Sequence, residues 1–389
     1  MAQGKRTGVR MQFGDGSVID EWLTMSLRET FTDPLSDLHF EAAPARERIA
    51  EYYKKLQKGE LVTVFVNDVN QGSYLIQTSE TSIDPASGVT FALSCNTVLV
   101  TPFQGSVKQP FSFKSQTYSP VGKIIADVLG PYGFEDIIGD PASNVSALTG
   151  IPIDGGRKAI TVDALKSDQA TADDGGESAY EFCKRIITRL GLALGVDFDG
   201  VLLTVVPDYD QDVAYSLVQS ADVSLGGDRF IGRITMTDTN DNQFSECRII
   251  GVKSDQAGQT QTARPDATVT SAELFSNRPA YKSTAAPYKP LIIKDKNSTS
   301  IERCKSTAKL ALGKRAKDAF VVSGEVDGFV STTGRIWTPN TMVDVRIDAV
   351  GFHEVMWVLE RTFTQDRQGG QKTRLKLIPP GALVLGDIP

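Results

Sequence analysis

The feature that most limits what this chain can fold into is a strict alternation of apolar and polar side chains, and it occurs twice. LVTVFVN (61–67), SYLIQTSE (73–80) and VTFALSC (89–95) follow one another near the start. TMVDVRID (341–348), EVMWVLERTF (354–363) and KTRLKLI (372–378) follow one another near the end. A period of two sends successive side chains to opposite faces of a strand. Each set therefore reads as a three-stranded meander with one buried face, punctuated by Asp84-Pro85 and Ser87-Gly88 in the first and Gly369-Gly370 in the second. Val62, Val64, Val66 and Val69 fall against Val343, Val345, Ile347 and Val350 without a gap. Short alternating strands can agree by chance, so the pattern alone leaves open a duplicated unit and a coincidence.

The rest of the chain is read around these two sets. Val9, Met11 and Phe13 alternate up to an Asp15-Gly16 hairpin turn. Leu23, Met25 and Leu27, then Leu38 and Phe40, continue the strand pattern, and residues 44–57 read as a short charged helix. Between 119 and 205 the period changes. Ser119-Pro120 supplies a capping hydroxyl and a proline at the first helical position, and Ile124, Ile125, Val128 and Leu129 recur at helical spacing up to Gly130. Ser178-Ala-Tyr-Glu181 is a capping box, leading a helix with Phe182, Cys183, Ile186, Ile187 and Leu190 on one face. LALGVDFDGVLLTVV (192–206) reads as a hairpin turning at Asp199-Gly200. Strand signals return from about 216. Residues 253–290, rich in Gly, Ser, Thr, Pro and Ala, read as a long loop or arm. Thr299-Ser-Ile-Glu302 is a second capping box, heading a basic helix at 301–318 with Ile301, Cys304, Ala308 and Ala311 on its apolar face.

Composition excludes several function classes. A chain of 389 residues exceeds what one core organises, so two or three domains are expected. A net charge of −7 argues against a protein that grips nucleic acid, because phosphate contacts need cations. No apolar run is long enough to span a bilayer, and MAQGKRTGVRMQFGDGS has no secretory character, so synthesis in a cytosol is expected. Cys95, Cys183, Cys247 and Cys304 lack metal or disulfide spacing and read as buried thiols, and His39 and His353 stand alone. No phosphate loop, nucleophile elbow, HExxH or dinucleotide fingerprint is present. Asp238-Thr-Asn240-Asp-Asn242 resembles the start of a calcium loop, but Gln243 and Ile249 stand where glycine and glutamate belong. Asp173, Asp174 and Glu177 precede a helix, where carboxylates suit the dipole without any catalytic task. The sequence thus assigns no catalytic, cofactor-binding or metal residues and implies no cofactor.

Two stretches remain as candidate interaction sites. In Trp337-Thr-Pro339-Asn340, proline fixes its own φ and asparagine suits a turn, so the segment leads into the strand Val343–Ile347. Trp337 either closes the end of a barrel or contacts a partner. The helix at 301–318 carries Arg303, Lys305, Lys309, Lys314, Arg315 and Lys317, which form either a solvated face or a positive strip for an acidic partner.

GESAYEFCKRIITRLGLALGVDFDGVLLTV (176–205), ERCKSTAKLALGKRAKDA (302–319), GRIWTPNTMVDV (334–345) and TRLKLIPPGAL (373–383) together resemble the baseplate hub protein of contractile-tailed phages of the phage Mu type. That resemblance implies a mainly β fold with an α+β insertion: two related, tube-like β-barrel domains and a small α+β domain, shared with the base of type VI secretion spike proteins. The expected spans are a first barrel at 1–107, the insertion at 108–215 and a second barrel at 216–389. It also implies a non-enzymatic role in the virion tail baseplate: a homotrimeric ring that joins the hexameric tail tube, or a tube-initiator protein, to the trimeric central spike. Other baseplate proteins would surround the ring, and DNA would pass through it only in transit. Arg303, Lys309, Lys317, Trp337, Pro339 and Asn340 are the candidate structural or interface residues. A tail-associated peptidoglycan lysin and the spike base of another contractile injection system are the alternative functions.

Overall fold

A computed structural model of the chain describes residues 8–107 apart from 87, 125–134 apart from 126, 177–189, 193–196, 202–205, 207–252, 255–256, 259–260, 264–275, 288–295, 298, 300–367 and 369–383. The expected helix start at Ser119-Pro120 and the Asp199-Gly200 turn lie outside these residues.

Alternation produces strands where it is strict. β1 (Val9–Phe13) and β2 (Val18–Ile19) flank the predicted turn. There Gly16 takes a φ of 79° and Asp15 Oδ1 accepts a hydrogen bond from Ser17 N at 2.9 Å. β3 (Thr24–Thr30) and β4 (Asp33–Ala42) form the next hairpin. The charged stretch after them is helical only over α1 (Ile49–Lys55), preceded by a 3-10 turn. The first meander is β5 (Leu61–Val66), β6 (Val69–Asp84) and β7 (Gly88–Thr97). Their inward residues Val62, Val64, Val66, Tyr74, Ile76, Phe91, Leu93 and Cys95 are buried.

A small helical patch follows. α2 (Val100–Gln104) is tied to α3 (Ala179–Arg189) by Ala179 N donating to Gly105 O at 2.9 Å and Val107 N donating to Glu177 O at 3.1 Å. The capping box forms as read, with Ser178 Oγ accepting from Glu181 N at 3.1 Å. β8 (Ala193–Val196) and β9 (Leu202–Val205) pair antiparallel, with Val196 opposite Leu202.

The second half closes on itself. β10 (Val213–Gln219) and β11 (Asp228–Asp238) come first. β12 (Glu246–Ile250), the two-residue strands β13 (Asp255–Gln256) and β14 (Gln259–Thr260), β15 (Asp266–Thr270), the helical turn α4 (Ser271–Phe275), β16 (Pro290–Lys294) and α5 (Ile301–Ala316) intervene. β17 (Phe320–Asp327), β18 (Met342–Ile347), β19 (Phe352–Asp366) and β20 (Gly370–Ile378) complete it. The order β18-β10-β11-β17-β20-β19 returns to β18, giving a closed six-stranded barrel.

Residues 266–275 correct the expectation of an uninterrupted loop across 253–290. β15, β12 and β16 form a separate sheet under α5. In DATVT only Ala267 and Val269 face inward, against Cys247 and Ile249, so a Ser/Thr/Ala-rich composition concealed a strand. The helix is capped by Ser300, one residue after the expected Thr299, which lies outside the described residues; Ser300 Oγ accepts from Arg303 N at 3.3 Å. Ile301, expected on the apolar face, is 51% exposed, and Leu312 takes a place in the core instead.

The first half repeats the second. β3-β4-β7-β6-β5-β1 has the same chain order and the same neighbours as β11-β17-β20-β19-β18-β10. The registers correspond as well: Leu61↔Leu75, Val62↔Tyr74 and Thr63↔Ser73 match Met342↔Trp357, Val343↔Met356 and Asp344↔Val355. Each long hairpin carries one extra residue in mid-ladder, Gln77 in β6 and Leu359 in β19. The first strand of each half joins differently: β1–β5 is antiparallel and β10–β18 parallel. Among the described residues, β1 and β3 are not hydrogen-bonded to each other, so the first sheet curls over its core without the ladder that closes the second.

One strand fuses the halves. β19 pairs with β18 from Phe352 to Trp357, and beyond its bulge the same edge pairs with β3, from Glu360↔Thr30 to Asp366↔Thr24. Arg361 lies on this seam and is 2% exposed. Its guanidinium donates to Glu29 Oε2 at 2.9 Å, to Gln71 Oε1 at 2.6 Å and to the Trp337 carbonyl, and it lies 4.3 Å from the Phe363 ring centroid. One buried side chain thereby ties β19 to β3, β6 and the 334–340 loop. Replacing Arg361 by Ala is expected to lower unfolding free energy by about 3 kcal/mol, because it orphans a carbonyl, an amide and a carboxylate together. Arg361→Lys should recover little, since an ammonium lacks the planar fork. Chemical denaturation midpoints check both, and an unchanged midpoint for Arg361→Ala would contradict the role assigned to the seam.

Candidate functional site

The 334–347 stretch turns inward immediately after an exposed tip. Val330 and Ile336 bridge, Gly334 takes a φ of 80°, and Thr332 to Arg335 are exposed. Trp337 then enters the main core with no exposed surface, its ring centroid 4.3 Å from that of Tyr215. The Tyr215 hydroxyl donates to the Ile336 carbonyl at 2.6 Å, and Trp337 Nε1 is buried without a hydrogen-bond partner among the described residues. Pro339 is buried too.

Asn340 has a φ of 61°, in the left-handed region that asparagine tolerates better than most residues. Its Oδ1 accepts from Asp208 N at 2.8 Å and from Trp357 Nε1 at 3.2 Å, and its carbonyl accepts from Gln211 Nε2 at 2.7 Å. Asn340 N donates to Val358 O, and Val358 N to Thr341 O, both at 2.9 Å. The other half repeats this joint. Gly59, with a φ of 86°, donates to Ile76 O at 2.8 Å, and Ile76 N donates to Glu60 O at 3.0 Å. The tryptophan-proline-asparagine run is therefore the second copy of a left-handed step into a barrel strand.

The basic helix is less uniform than its sequence. Lys305 and Lys314 are exposed, whereas Arg303, Lys309 and Lys317 are half-buried. Burial lowers the pKa of the Arg303 guanidinium, with Asp295 acting in the opposite direction. Arg315 lies 5.5 Å over the Phe244 ring and donates to Ala311 O at 3.0 Å. Glu273 is held below the usual carboxylate range by hydrogen bonds from Thr270, backbone and side chain, helped by the charges of Lys305 and Lys309. The structure places the Trp337 loop and the basic helix in different cores and does not bring them together.

Elsewhere, charged groups are engaged with one another. Arg28 meets Glu360 at 2.8 Å and Asp37 at 3.7 Å beside a cleft between β3, β4 and α2. In the turn that resembles a calcium loop, Lys289 Nζ donates to the Asn240 and Asp241 carbonyls at 2.9 and 2.8 Å. All four cysteines are buried and free, and burial pushes the Cys95 thiol up to about 12 and that of Cys247 to about 11. Among the described residues no cluster of His, Cys, Asp and Glu could hold a metal ion, and no helix is long and apolar enough to cross a membrane.

Sequence reasoning missed Arg361, Glu29 and Gln71. A signal for the first was present: beyond the bulge Arg361 shares the parity of Phe363, which faces the main core, so an arginine stands where a core residue belongs. For Trp337, truncation to Ala is expected to cost about 3–5 kcal/mol, as for other fully buried aromatics. Thermal melting measures it, and an unchanged transition would contradict a packing role.

Residues 315–380 match the family described as tail protein, C-terminal domain. No curated protein matches the chain. The tail protein from Neisseria meningitidis MC58 superposes with a TM-score of 0.71 at 16% identity, covering 98% of this chain and 98% of that one. The 43 kDa tail protein of prophage MuSo2 from Shewanella oneidensis gives 0.69 at 17%, covering 96% and 99%. Prophage tail protein gp18 from Listeria monocytogenes EGD-e gives 0.53 at 9%, covering 95% and 94%. The chain thus has the fold of these tail proteins along nearly its whole length, and its closing strands carry the sequence pattern of a tail-protein C-terminal domain.

Proposed function

We propose that this chain is the structural hub of a phage tail baseplate. Three copies form a ring on the tail axis, joining a sixfold tail tube to a threefold central spike and lining the channel through which DNA leaves. The observation that carries this reading is the duplication: two units of the same strand order, fused edge to edge through β19 and β3. A subunit with two like halves lets a threefold ring offer six like surfaces on one side and three on the other. The net charge of −7 suits a channel wall past which DNA slides, since a basic wall would trap it through counterion release. The match of residues 315–380 to a tail-protein domain supports a place in the virion tail. The partners are further copies of the chain, the spike, the tube or its initiator and neighbouring baseplate proteins, and the role is architectural rather than enzymatic.

Electron microscopy of the tail tip tests the reading. Three copies in one axial ring are expected, and six copies or an off-axis position would overturn it. The basic helix gives a second test. Substituting Lys309→Glu and Lys317→Glu together should change the unfolding free energy by no more than about 0.5 kcal/mol per site. If the helix meets an acidic partner surface, assembly becomes weaker and loses part of its salt dependence. Unaltered assembly at low ionic strength would return the helix to the role of a solvated face.

A further inference from the structure

We infer that the outer edge of β6, Thr78–Ile83, is the docking strand for β11 of a second copy of this chain. In this register Thr235 lies opposite Ser82, Met236 opposite Thr81, Thr237 opposite Glu80 and Asp238 opposite Ser79. The inference rests on the hub reading and supplies its copy-to-copy contact.

Among the described residues, two long strands, β6 and β11, each leave part of one edge unpaired. β6 pairs with β7 out to Asp84, but its ladder with β5 ends at Leu75, with Ile76 bonded to Gly59 and Glu60. Among the described residues no strand covers the other edge of Thr78–Ile83. β11 pairs with β17 along one edge, while β10 covers the opposite edge only at Asp228 and Arg229. The edge of Thr235–Asp238 is open in the same sense.

The repeat identifies what these edges correspond to. β6 stands in the first half where β19 stands in the second, and β11 stands where β3 does. β19 and β3 are paired within the chain, so β6 and β11 are the same seam left unmade. The register follows rung by rung. Thr78↔Ser94 in β6–β7 corresponds to Glu360↔Lys376 in β19–β20. His39↔Ser94 and Leu38↔Cys95 correspond to Ser323↔Lys376 and Val322↔Leu377. Ser26↔His39, Leu27↔Leu38 and Arg28↔Asp37 then correspond to Thr235↔Ser323, Met236↔Val322 and Thr237↔Val321. The intact seam pairs Thr364↔Ser26, Phe363↔Leu27, Thr362↔Arg28 and Arg361↔Glu29. Carried across, these become the four pairs stated above.

The two edges are only lightly defended. Natural edges are blunted by charge, lysine above all, by proline, by bulges or by coverage; Thr78–Ile83 reads TSETSI and Thr235–Asp238 reads TMTD, each with one carboxylate and neither with lysine or proline. Ile83 is 77% exposed. Threonine suits a pleated ladder, and strand addition supplies main-chain hydrogen bonds whatever the side chains. Each copy has one edge of each kind, so the contact is heterologous and propagates until a ring closes. A second copy is the one occupant that brings an edge with the matching register.

Cross-linking in assembled tails tests the seam. Glu80→Cys and Thr237→Cys are placed together in the full chain. Opposed Cα atoms in an antiparallel pair stand about 4.5–5.5 Å apart, within disulfide reach. The native thiols are buried and hold their protons, so they do not compete. Oxidation is expected to convert the chain to covalent trimers on denaturing electrophoresis. The pair Glu80→Cys with Thr235→Cys, two residues out of register, should stay monomeric. Tails that hold three copies in a ring but yield no cross-link, or yield it only with the shifted pair, overturn this seam and leave the hub reading standing. Copies arranged in no ring overturn both. A charge test is independent of oxidation: Thr237→Glu places like charges opposite Glu80 and should abolish assembly without changing the melting temperature. Adding Glu80→Lys should restore it, and failure of that rescue with the fold intact counts against the pairing.

Discussion

The fold depends on a buried guanidinium. Arg361 carries a full charge into the region where the two halves meet, and its planar fork is satisfied by a carboxylate, an amide and a carbonyl from three other segments. Desolvating such a charge is costly unless every donor finds an acceptor. That requirement makes the joint specific. Glu29 must come from β3, Gln71 from the start of β6 and the carbonyl from Trp337, so only one relative placement of these pieces satisfies the charge. Glu29 keeps part of its surface in water, which eases the cost on the carboxylate side. The hydrophobic faces would hold two sheets together in many ways, whereas this network selects one.

The barrel strands were legible because each is amphipathic over a short window, and a period of two is a local property. The caps and turns were legible for the same reason, as at Asp15-Gly16 and Ser178. The β19–β3 joint was not, because it joins residues from opposite ends of the chain and both strands are also fully paired elsewhere. β15 and β16 escaped notice, although β12 lies within the strand signals read from 216 on, because alanine and cysteine make up much of the core under α5 and give little hydropathy contrast. Trp337 and Asn340 drew attention as unusual residues, but their sequence could not show that Gly59 holds the corresponding backbone position. Glycine reaches a positive φ by lacking a side chain, and asparagine reaches it while using its side chain to bond Asp208 and Trp357. One geometry thus has two sequences, which hides a repeat from residue-by-residue comparison.

The halves have diverged in what they bury. Phe363 and Arg361 are inside, packed against the first half, while Thr81 and Ser79 occupy the equivalent rungs of β6. The β1–β5 joint is antiparallel where β10–β18 is parallel, and the connection between β11 and β17 holds a sheet and a helix that the β3–β4 hairpin lacks. What stayed constant is the hairpin geometry at the centre of each unit, where cross-strand packing leaves the least freedom.

The single extra residue in each long hairpin, Gln77 in one and Leu359 in the other, sets where a strand can change neighbours. A bulge increases local twist and bends its strand, and in β19 that bend is where one neighbour is exchanged for another. The halves hold the insertion at matching rungs, so both long strands bend at the same place. The antiparallel β1–β5 joint, the asparagine at the left-handed step and the buried arginine each occur in one half only. The bend therefore gives both long strands a segment free to take a new neighbour, and the buried arginine locks that neighbour in one copy alone.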